Sequence, residues 1–153
     1  MGKLWLVNYK IEHRKCWSEL TKNFNLVIHM WPLDIAKPGV RRLRLLIKGP
    51  LDETRKFMFK LGEHPDVTDF GTVIEGEQET ELYIYVNDPG YLESKYFDYD
   101  VLFTEEAPCI IRNGIEEWTI LLNKPNEVEL LRSKLSKISR VLDIKLVKTI
   151  QAN

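Results

Sequence analysis

The chain has 153 residues, of which 44% are hydrophobic, 10% aromatic and 29% charged, an ordinary mixture for a folded globular protein. Its 22 basic and 23 acidic residues leave a formal net charge of −1. Proteins that hold nucleic acid mainly through its phosphates carry a basic excess, so the composition argues against unaided nucleic-acid binding by this chain.

The first residues predict a strand followed by a short helix. Hydrophobicity alternates along 3–11, and the residues that share one face of this strand are Trp5, Val7, Tyr9 and Ile11. Helical spacing within 12–24 predicts an amphipathic helix, whose apolar side is formed by Trp17, Leu20 and Phe24. The run 26–31 is apolar on both faces and predicts a strand that is covered on both sides.

The middle of the chain predicts a strand–helix–strand unit and one further strand. Residues 40–48 predict a strand in which Arg42 and Arg44 face away from Leu43, Leu45 and Ile47. Gly49-Pro50 ends this strand, and Asp52 is expected to cap the following helix. The inner face of that helix is predicted to contain Leu51, Thr54, Met58 and Leu61, with Phe57 beside them. Strands at 67–74 and 81–86 follow, joined by an acidic loop at 75–80.

The last third predicts strands at 99–103 and 109–112 and then a tight hairpin. Asn113-Gly114 lies between apolar runs, and both residues suit a turn whose central positions have positive φ. The return strand is predicted at 115–122, with Trp118, Ile120 and Leu122 on one face. Pro125 suits the first turn of a helix whose inner face includes Leu131, and we expect Trp118 and Leu131 to share one core. A strand at 143–150 closes the chain.

Two stretches of the chain, 43–50 and 118–125, are alike. Each opens a strand–helix–strand unit, and aligning Pro50 with Pro125 brings the two predicted helices into register. A shared supersecondary unit explains this similarity as well as a duplication does. The predicted fold is α+β, with two ferredoxin-like (ACT-like) strand–helix–strand halves and antiparallel sheets. We place the halves at 1–87 and 88–153 and expect them to pack as one body.

Aromatic side chains indicate a candidate ligand site. Tyr83 and Tyr85 share one strand face, and the residues expected to contact a ligand are Tyr83, Tyr85, His29 and Trp31. Further aromatic residues cluster in and after the next loop: Tyr91, Tyr96, Phe97 and Tyr99. Helices cover only one face of a ferredoxin-like sheet, so the aromatic face is available to a small molecule or a second subunit. Alternatively, the two halves cover each other.

Metal and catalytic chemistry have weaker signals. The candidate metal ligands are His13, Cys16 and His29, but an ordinary surface histidine and a buried thiol are the favoured explanation, so we expect no metal. The glutamates at 75, 77, 79 and 81 could supply paired carboxylates, but like charges in a loop are normally just solvated. The sequence contains no nucleophile elbow and no glycine-rich phosphate loop. We therefore expect no catalytic residues and no cofactor.

Cysteine content and hydropathy suggest a cellular location. Cys16 and Cys109 are isolated in apolar surroundings, which favours reduced thiols in a cytoplasmic protein, although their spacing also allows a disulfide. No run approaches the roughly 18 apolar residues of a membrane-spanning helix. We expect a soluble, cytoplasmic protein that has no membrane partner.

The order of elements resembles a family of regulators. Residues 16–20, Cys-Trp-Ser-Glu-Leu, follow the first strand, and residues 108–114, Pro-Cys-Ile-Ile-Arg-Asn-Gly, lead through Trp118 to the last helix and strand. This pattern resembles the N-terminal region of archaeal helix-turn-helix regulators of the bacterio-opsin-activator-like type. The resemblance implies a sensor-type role in transcription regulation. It implies DNA binding only through a helix-turn-helix after the closing strand, which is not present in this chain.

The function expected from these observations is a regulatory ligand-sensing or dimerisation module, not an enzyme. Its expected partners are a second copy of the chain and a small-molecule effector. One alternative is a small enzyme with a cleft between two sheets that uses His29 or the glutamate cluster. Another is an adaptor that binds other proteins through its exposed sheet face.

Overall fold

The computed structural model of the chain describes residues 3–13, 15–87, 108–122, 124 and 126–151. The strands are β1 (Lys3–His13), β2 (Val27–Lys37), β3 (Val40–Lys48), β4 (Val67–Glu75), β5 (Glu79–Asn87), β6 (Cys109–Arg112), β7 (Ile115–Leu122) and β8 (Ser139–Gln151). The helices are a 3₁₀ helix (Trp17–Asn23), α1 (Leu51–Glu63) and α2 (Glu127–Ser136). Three predictions fall outside the described residues: the strand at 99–103, the aromatic cluster at 91–99 and the position of Pro125.

The described strands form one eight-stranded antiparallel sheet in the order β4-β5-β3-β2-β6-β7-β1-β8. This confirms the α+β class and the antiparallel pairing. The strands of both predicted halves thus belong to a single sheet rather than to two separate ones. The join in the middle is short, because β2 and β6 share three residue pairs, from Ile28↔Ile111 to Met30↔Cys109.

Two strand–helix–strand units lie in this sheet, as the similarity of 43–50 to 118–125 predicts. The first unit is β3-α1-β4 and the second is β7-α2-β8. In the first unit, β5 lies between β3 and β4, and in the second unit β1 lies between β7 and β8. The predicted division at residue 87 assigns β1 to the first half, whereas β1 pairs with β7 and β8 of the second.

Pairing registers repeat between the two units. Leu43 pairs with Ile84 in the first unit, and the equivalent residue of the second unit, Trp118, pairs with Tyr9. The outer strands repeat as well, because β4 has two register shifts against β5 and β8 has two against β1. Such β-bulges bend an edge strand and limit its pairing with other chains.

The hydrophobic core lies on the helix-bearing face of the sheet. The buried sheet residues on this face include Val7, Ile28, Leu45, Leu82, Ile111 and Ile120. The helices cover them with Trp17 from the 3₁₀ helix, Phe57 and Leu61 from α1, and Leu131 and Leu135 from α2. Trp118 and Leu131 belong to the same buried cluster, which confirms that prediction.

Local predictions are confirmed where turn chemistry decides them. The strands at 40–48, 109–112 and 115–122 have the predicted bounds. Asn113 and Gly114 have φ of 52° and 74°, as the tight hairpin between β6 and β7 requires. A Cβ at Gly114 would lie 2.6 Å from Cε of Lys22, a flexible side chain that can move aside, so the positive φ is what favours glycine here.

Three other boundaries were predicted wrongly. The first helix is a short 3₁₀ helix at Trp17–Asn23, because β1 continues to His13 along its partner β8. The N-cap of α1 is Pro50, and Asp52 lies inside the first turn. The last strand begins at Ser139, because pairing with His13 extends it before the predicted start at 143.

The helices among the described residues are all too short or too polar to cross a membrane.

Candidate functional site

The face of the sheet opposite the helices carries all four predicted ligand residues. A row of paired residues crosses this face from Trp31 through Arg44 and Tyr83 to Gly71. Tyr85 is two positions beyond Tyr83 on β5, and His29 is two positions before Trp31 on β2, so both point to the same side. The structure therefore brings these four side chains to one surface, hereafter called the open face.

A shallow cleft of about 680 Å³ lies at one end of the open face. Its lining residues come from β2 to β5 and are Leu33, Asp34, Arg42, Gly71, Thr72, Val73, Tyr83 and Tyr85. Tyr83 and Tyr85 thus line the cleft, whereas His29 and Trp31 lie on the open face outside it. Gly71 leaves room beside Tyr83, because a Cβ at this position would meet no atom within 4 Å.

An ion pair forms the polar wall of the cleft. The guanidinium of Arg42 makes two hydrogen bonds to the carboxylate of Asp34, one of them from Nε to Oδ1 at 2.8 Å. Hydrogen bonding to Arg42 lowers the pKa of Asp34. Hydrogen bonds to Asp34 and then to Tyr85 raise the pKa of Arg42, so this pair stays charged at neutral pH. The cleft therefore combines tyrosine rings and aliphatic side chains with one charged pair.

Beside the cleft, Arg44 joins two strands through Trp31 and Glu81. Its guanidinium carbon lies 4.6 Å from the centre of the Trp31 ring, a cation–π geometry. Its Nε donates to Oε1 of Glu81 at 2.9 Å. Trp31 is only 7% exposed, although it lies on the face without helices. The arginines that a basic surface would need are thus engaged in contacts within the protein.

His29 lies next to Trp31, with ring centres 6.2 Å apart and an edge-to-face arrangement. Partial burial lowers the pKa of His29, and the positive charges of Lys48 and Arg112 lower it further. The ring is therefore neutral at physiological pH and can act as a hydrogen-bonding group.

The structure brings two of the three predicted metal ligands together and replaces the third. Donor atoms of His13, Cys16 and Glu116 all lie within 4.8 Å of one another, and we call this group the His-Cys-Glu cluster. Nδ1 of His13 lies 3.6 Å from Oε2 of Glu116. The third candidate, His29, does not join this group. Glu116 pairs with Ile111 and Ile111 with Ile28, so Glu116 faces the helices and His29 faces the other side.

Glu116 is a buried carboxylate with a full set of partners. Its side chain is 3% exposed, Oε2 accepts a hydrogen bond from Oγ of Ser18 at 2.7 Å, and Oε1 accepts one from Nε1 of Trp118 at 2.9 Å. Burial opposes ionisation, but the interactions with His13, Ser18 and Trp118 outweigh it and lower the pKa of Glu116. The carboxylate is therefore charged inside the protein.

His13 supplies the opposite charge. Burial opposes its protonation, but its contact with the Cys16 side chain and its pairing with Glu116 prevail and raise its pKa to about 11. At neutral pH the cluster therefore contains a buried ion pair between His13 and Glu116, with Cys16 at its partly exposed side.

The acidic residues between β4 and β5 do not converge on one point. Glu75 pairs with Arg55 at 2.9 Å, Glu81 with Arg44 at 2.9 Å, and Glu79 with Lys48 at 3.9 Å. Each of these carboxylates thus faces its own basic residue. No pair for acid–base work forms among them.

Sequence reasoning missed Glu116, Arg42 and Asp34 as site residues. The sequence does contain a signal for Glu116. Side chains alternate along β7, so Glu116 points to the same side as Trp118 and Ile120, which are predicted to face inward. A carboxylate at an inward position must find partners, which points to a buried polar site. Asp34 has no comparable signal, because only the pairing of β2 with β3 brings it to Arg42.

Comparisons of the chain with models of protein families, with curated proteins and with solved structures found no match.

Proposed function

We propose that this chain is a regulatory module that senses a small organic molecule in the cleft of the open face. The single observation that carries the proposal is the cleft itself, with its two tyrosine rings and the Arg42–Asp34 pair. Small-molecule sites are concave, mostly apolar and marked by a few placed polar groups. The volume of about 680 Å³ lies within the usual range of roughly 300–1,000 Å³ for such sites.

The lining favours a particular chemical class of ligand. Tyr83 and Tyr85 offer ring surfaces, and Leu33 and Val73 add aliphatic contact. The charged pair can bind a polar group of the ligand, because Arg42 can donate a hydrogen bond to it and Asp34 can accept one from it. A flat, amphipathic molecule with one polar or charged end suits this combination better than a sugar or a purely apolar lipid.

The link to transcription rests on the resemblance to the N-terminal region of archaeal helix-turn-helix regulators. We infer that the two strand–helix–strand units are ferredoxin-like, ACT-like halves of such a sensor, a view supported by their repeated registers and bulges. Arg42 and Arg44 are occupied by Asp34 and Glu81, which supports the expectation that this chain alone does not bind duplex DNA. A fluorescence-anisotropy titration with random duplex at physiological salt tests this expectation.

A thermal-shift screen tests the ligand proposal. Amphipathic aromatic acids and amines are added to the purified chain, and a binding compound raises the midpoint of unfolding in a concentration-dependent way. Tyr85→Ala removes one wall of the cleft and should abolish the shift. Lys10→Ala is the matched control, because Lys10 occupies on β1 the place that Tyr85 occupies on β5. A shift that persists in Tyr85→Ala, or one that disappears in Lys10→Ala, contradicts the proposed site.

We further propose that the chain self-associates through the region of β8. This strand is an edge among the described strands, and it exposes Leu142, Leu146 and Val147 by 38%, 50% and 50%. Because its bulges oppose ladder pairing, we expect contact through these side chains rather than a continued sheet. Light scattering at micromolar concentration should give a mass above 18.0 kDa, and Leu146→Lys should lower it. A monomer at that concentration contradicts this part of the proposal.

The competing hypotheses are less well supported. The enzyme hypothesis needs a cleft between two sheets, whereas the strands in the described ranges form a single sheet. An adaptor that binds other proteins through the open face would fail to respond to any small molecule in the screen. It would instead lose its partner in Tyr85→Ala.

A further inference from the structure

The His-Cys-Glu cluster joins three separate elements at one end of the sheet. His13 is the last residue of β1, Cys16 immediately precedes the 3₁₀ helix, and Glu116 lies on β7. It is on the helix-bearing side of the sheet, away from the ligand cleft. Any role it has is therefore separate from the proposed sensing of an organic molecule.

The spacing of the donor atoms matches a tetrahedral metal site. Zinc bonds of about 2.0–2.3 Å place neighbouring ligand atoms about 3.3–3.8 Å apart in a tetrahedron. Nδ1 of His13 and Oε2 of Glu116 are 3.6 Å apart, and one donor atom from each of the three residues lies within 4.8 Å of the other two. All three residues therefore offer a donor atom close enough to share one ion.

Backbone strain lies between the first two donors. Lys15 has a φ of 61°, which non-glycine residues adopt rarely and at an energetic cost. This left-handed residue turns the chain back, so that the amide of Cys16 lies 3.4 Å from the carbonyl oxygen of His13. The backbone of Cys16 therefore lies next to that of His13.

The surroundings of Glu116 resemble those of a metal ligand. Ser18 and Trp118 each donate to one oxygen of its carboxylate, which fixes the orientation of the group. Ligating carboxylates are held by outer hydrogen bonds of this kind. Nδ1 of His13 lies 3.6 Å from this carboxylate, so a nitrogen donor and an oxygen donor already face each other.

We propose that His13, Cys16 and Glu116 form a binding site for a divalent transition-metal ion, with Zn²⁺ the ion that best suits one nitrogen, one sulfur and one oxygen donor. Three protein ligands leave a fourth position for water or an external ligand, on the side where Cys16 is partly exposed. A metal binds the neutral imidazole and the thiolate, so binding at this site competes with protons. The site thereby ties the 3₁₀ helix to β1 and β7.

The test uses Co²⁺ as a spectroscopic substitute for Zn²⁺. The full chain is reduced, freed of metal with a chelator and titrated with Co²⁺ under anaerobic conditions. The expected result is a thiolate-to-cobalt charge-transfer band that saturates at one Co²⁺ per chain and disappears when Zn²⁺ is added. The absence of this band, or saturation at another ratio, overturns the proposal.

Variants identify the ligands. Cys16→Ser should lose the band, whereas Cys109→Ala, which removes the other cysteine, should keep it. Ser18→Ala leaves all three ligands in place and should weaken Co²⁺ binding about 10–100-fold, as loss of an outer hydrogen bond does. A band that survives in Cys16→Ser or is lost in Cys109→Ala overturns the assignment.

Circular dichroism checks that each variant is folded. If Cys16→Ser is not, His13→Gln decides: at least tenfold weaker Co²⁺ binding supports the site, and unchanged binding overturns it.

Discussion

The two strand–helix–strand units of this protein share one framework and place different chemistry on it. Equivalent positions of the two units pair in the same way, yet Leu43 of β3 corresponds to Trp118 of β7, and Arg41 corresponds to Glu116. On the open face, Tyr83 and Tyr85 of β5 correspond to Asn8 and Lys10 of β1. The first unit, together with the neighbouring β2, therefore forms the cleft, and the second unit contributes His13 and Glu116 to the His-Cys-Glu cluster.

This difference separates what pairing requires from what a site requires. The register of the strands requires only that apolar and polar residues alternate and that the turns have the right length. Both units meet these requirements. The sites depend on a few positions at which one unit has an aromatic or charged residue and the other does not. Substitutions at equivalent positions therefore measure how far each unit depends on its own chemistry.

The largest difference is expected when one member of the buried ion pair is removed. In the presence of a chelator, His13→Ala should lower the free energy of unfolding by about 3–5 kcal/mol at neutral pH, because the carboxylate of Glu116 loses its counter-charge. Arg41, at the position equivalent to Glu116, bonds an exposed carbonyl oxygen of Leu33, and Arg41→Ala should cost less than about 1 kcal/mol. Urea unfolding measures both values, and equal losses would contradict the asymmetry.

The loss of stability on truncating an inward-facing strand residue should also differ between the two units. Trp118 is 1% exposed, stacks on Tyr9 at 6.3 Å and donates to Glu116, so Trp118→Ala should cost about 3–5 kcal/mol. Leu43→Ala should cost less within the range of about 2–5 kcal/mol, because it leaves no polar partner unsatisfied. The comparison fails if urea unfolding finds Leu43→Ala to be the more destabilising.

A smaller effect is expected on the open face. Arg44 contacts both Trp31 and Glu81, so Arg44→Ala should cost about 1–2 kcal/mol and shift the emission of Trp31 to longer wavelength. Thr119 is the equivalent residue of β7, and Thr119→Ala should change stability by less than about 0.5 kcal/mol. An unchanged emission spectrum in Arg44→Ala would mean that the arginine does not shield the indole.

The smallest effect concerns the pH dependence of stability near His29. Its pKa in the folded chain lies below the ordinary value of 6.5, so the unfolded chain binds the proton more readily. Its contribution to stability is therefore present above pH 6.5 and is lost as the pH falls through the folded pKa. Melting at about pH 7.5 and about pH 5.5 should show a larger decrease in the wild type than in His29→Gln. Equal decreases would mean that His29 is not coupled to folding.

Sequence patterns alone determined the elements whose signals are local. The inward positions of β3 and β7 follow from alternation, and the β6–β7 hairpin follows from Asn113-Gly114, because both depend on neighbouring residues only. The first helix was predicted too long. Its expected first residues instead extend β1, because they pair with β8. The aromatic pattern of β5 also predicted correctly that Tyr83 and Tyr85 share a face.

Only the tertiary structure decided how these elements combine into sites. Local periodicity does not determine the order of strands in a sheet. The position of β1 between β7 and β8 therefore could not be predicted from the sequence. That insertion brings His13 to Glu116, which is far from it in the sequence, and the pairing of β2 with β6 turns His29 to the opposite face. Candidate metal and ligand sites depend on such long-range contacts. The partners of a side chain are determined by which strands are adjacent in the sheet, not by which residues are adjacent in the sequence.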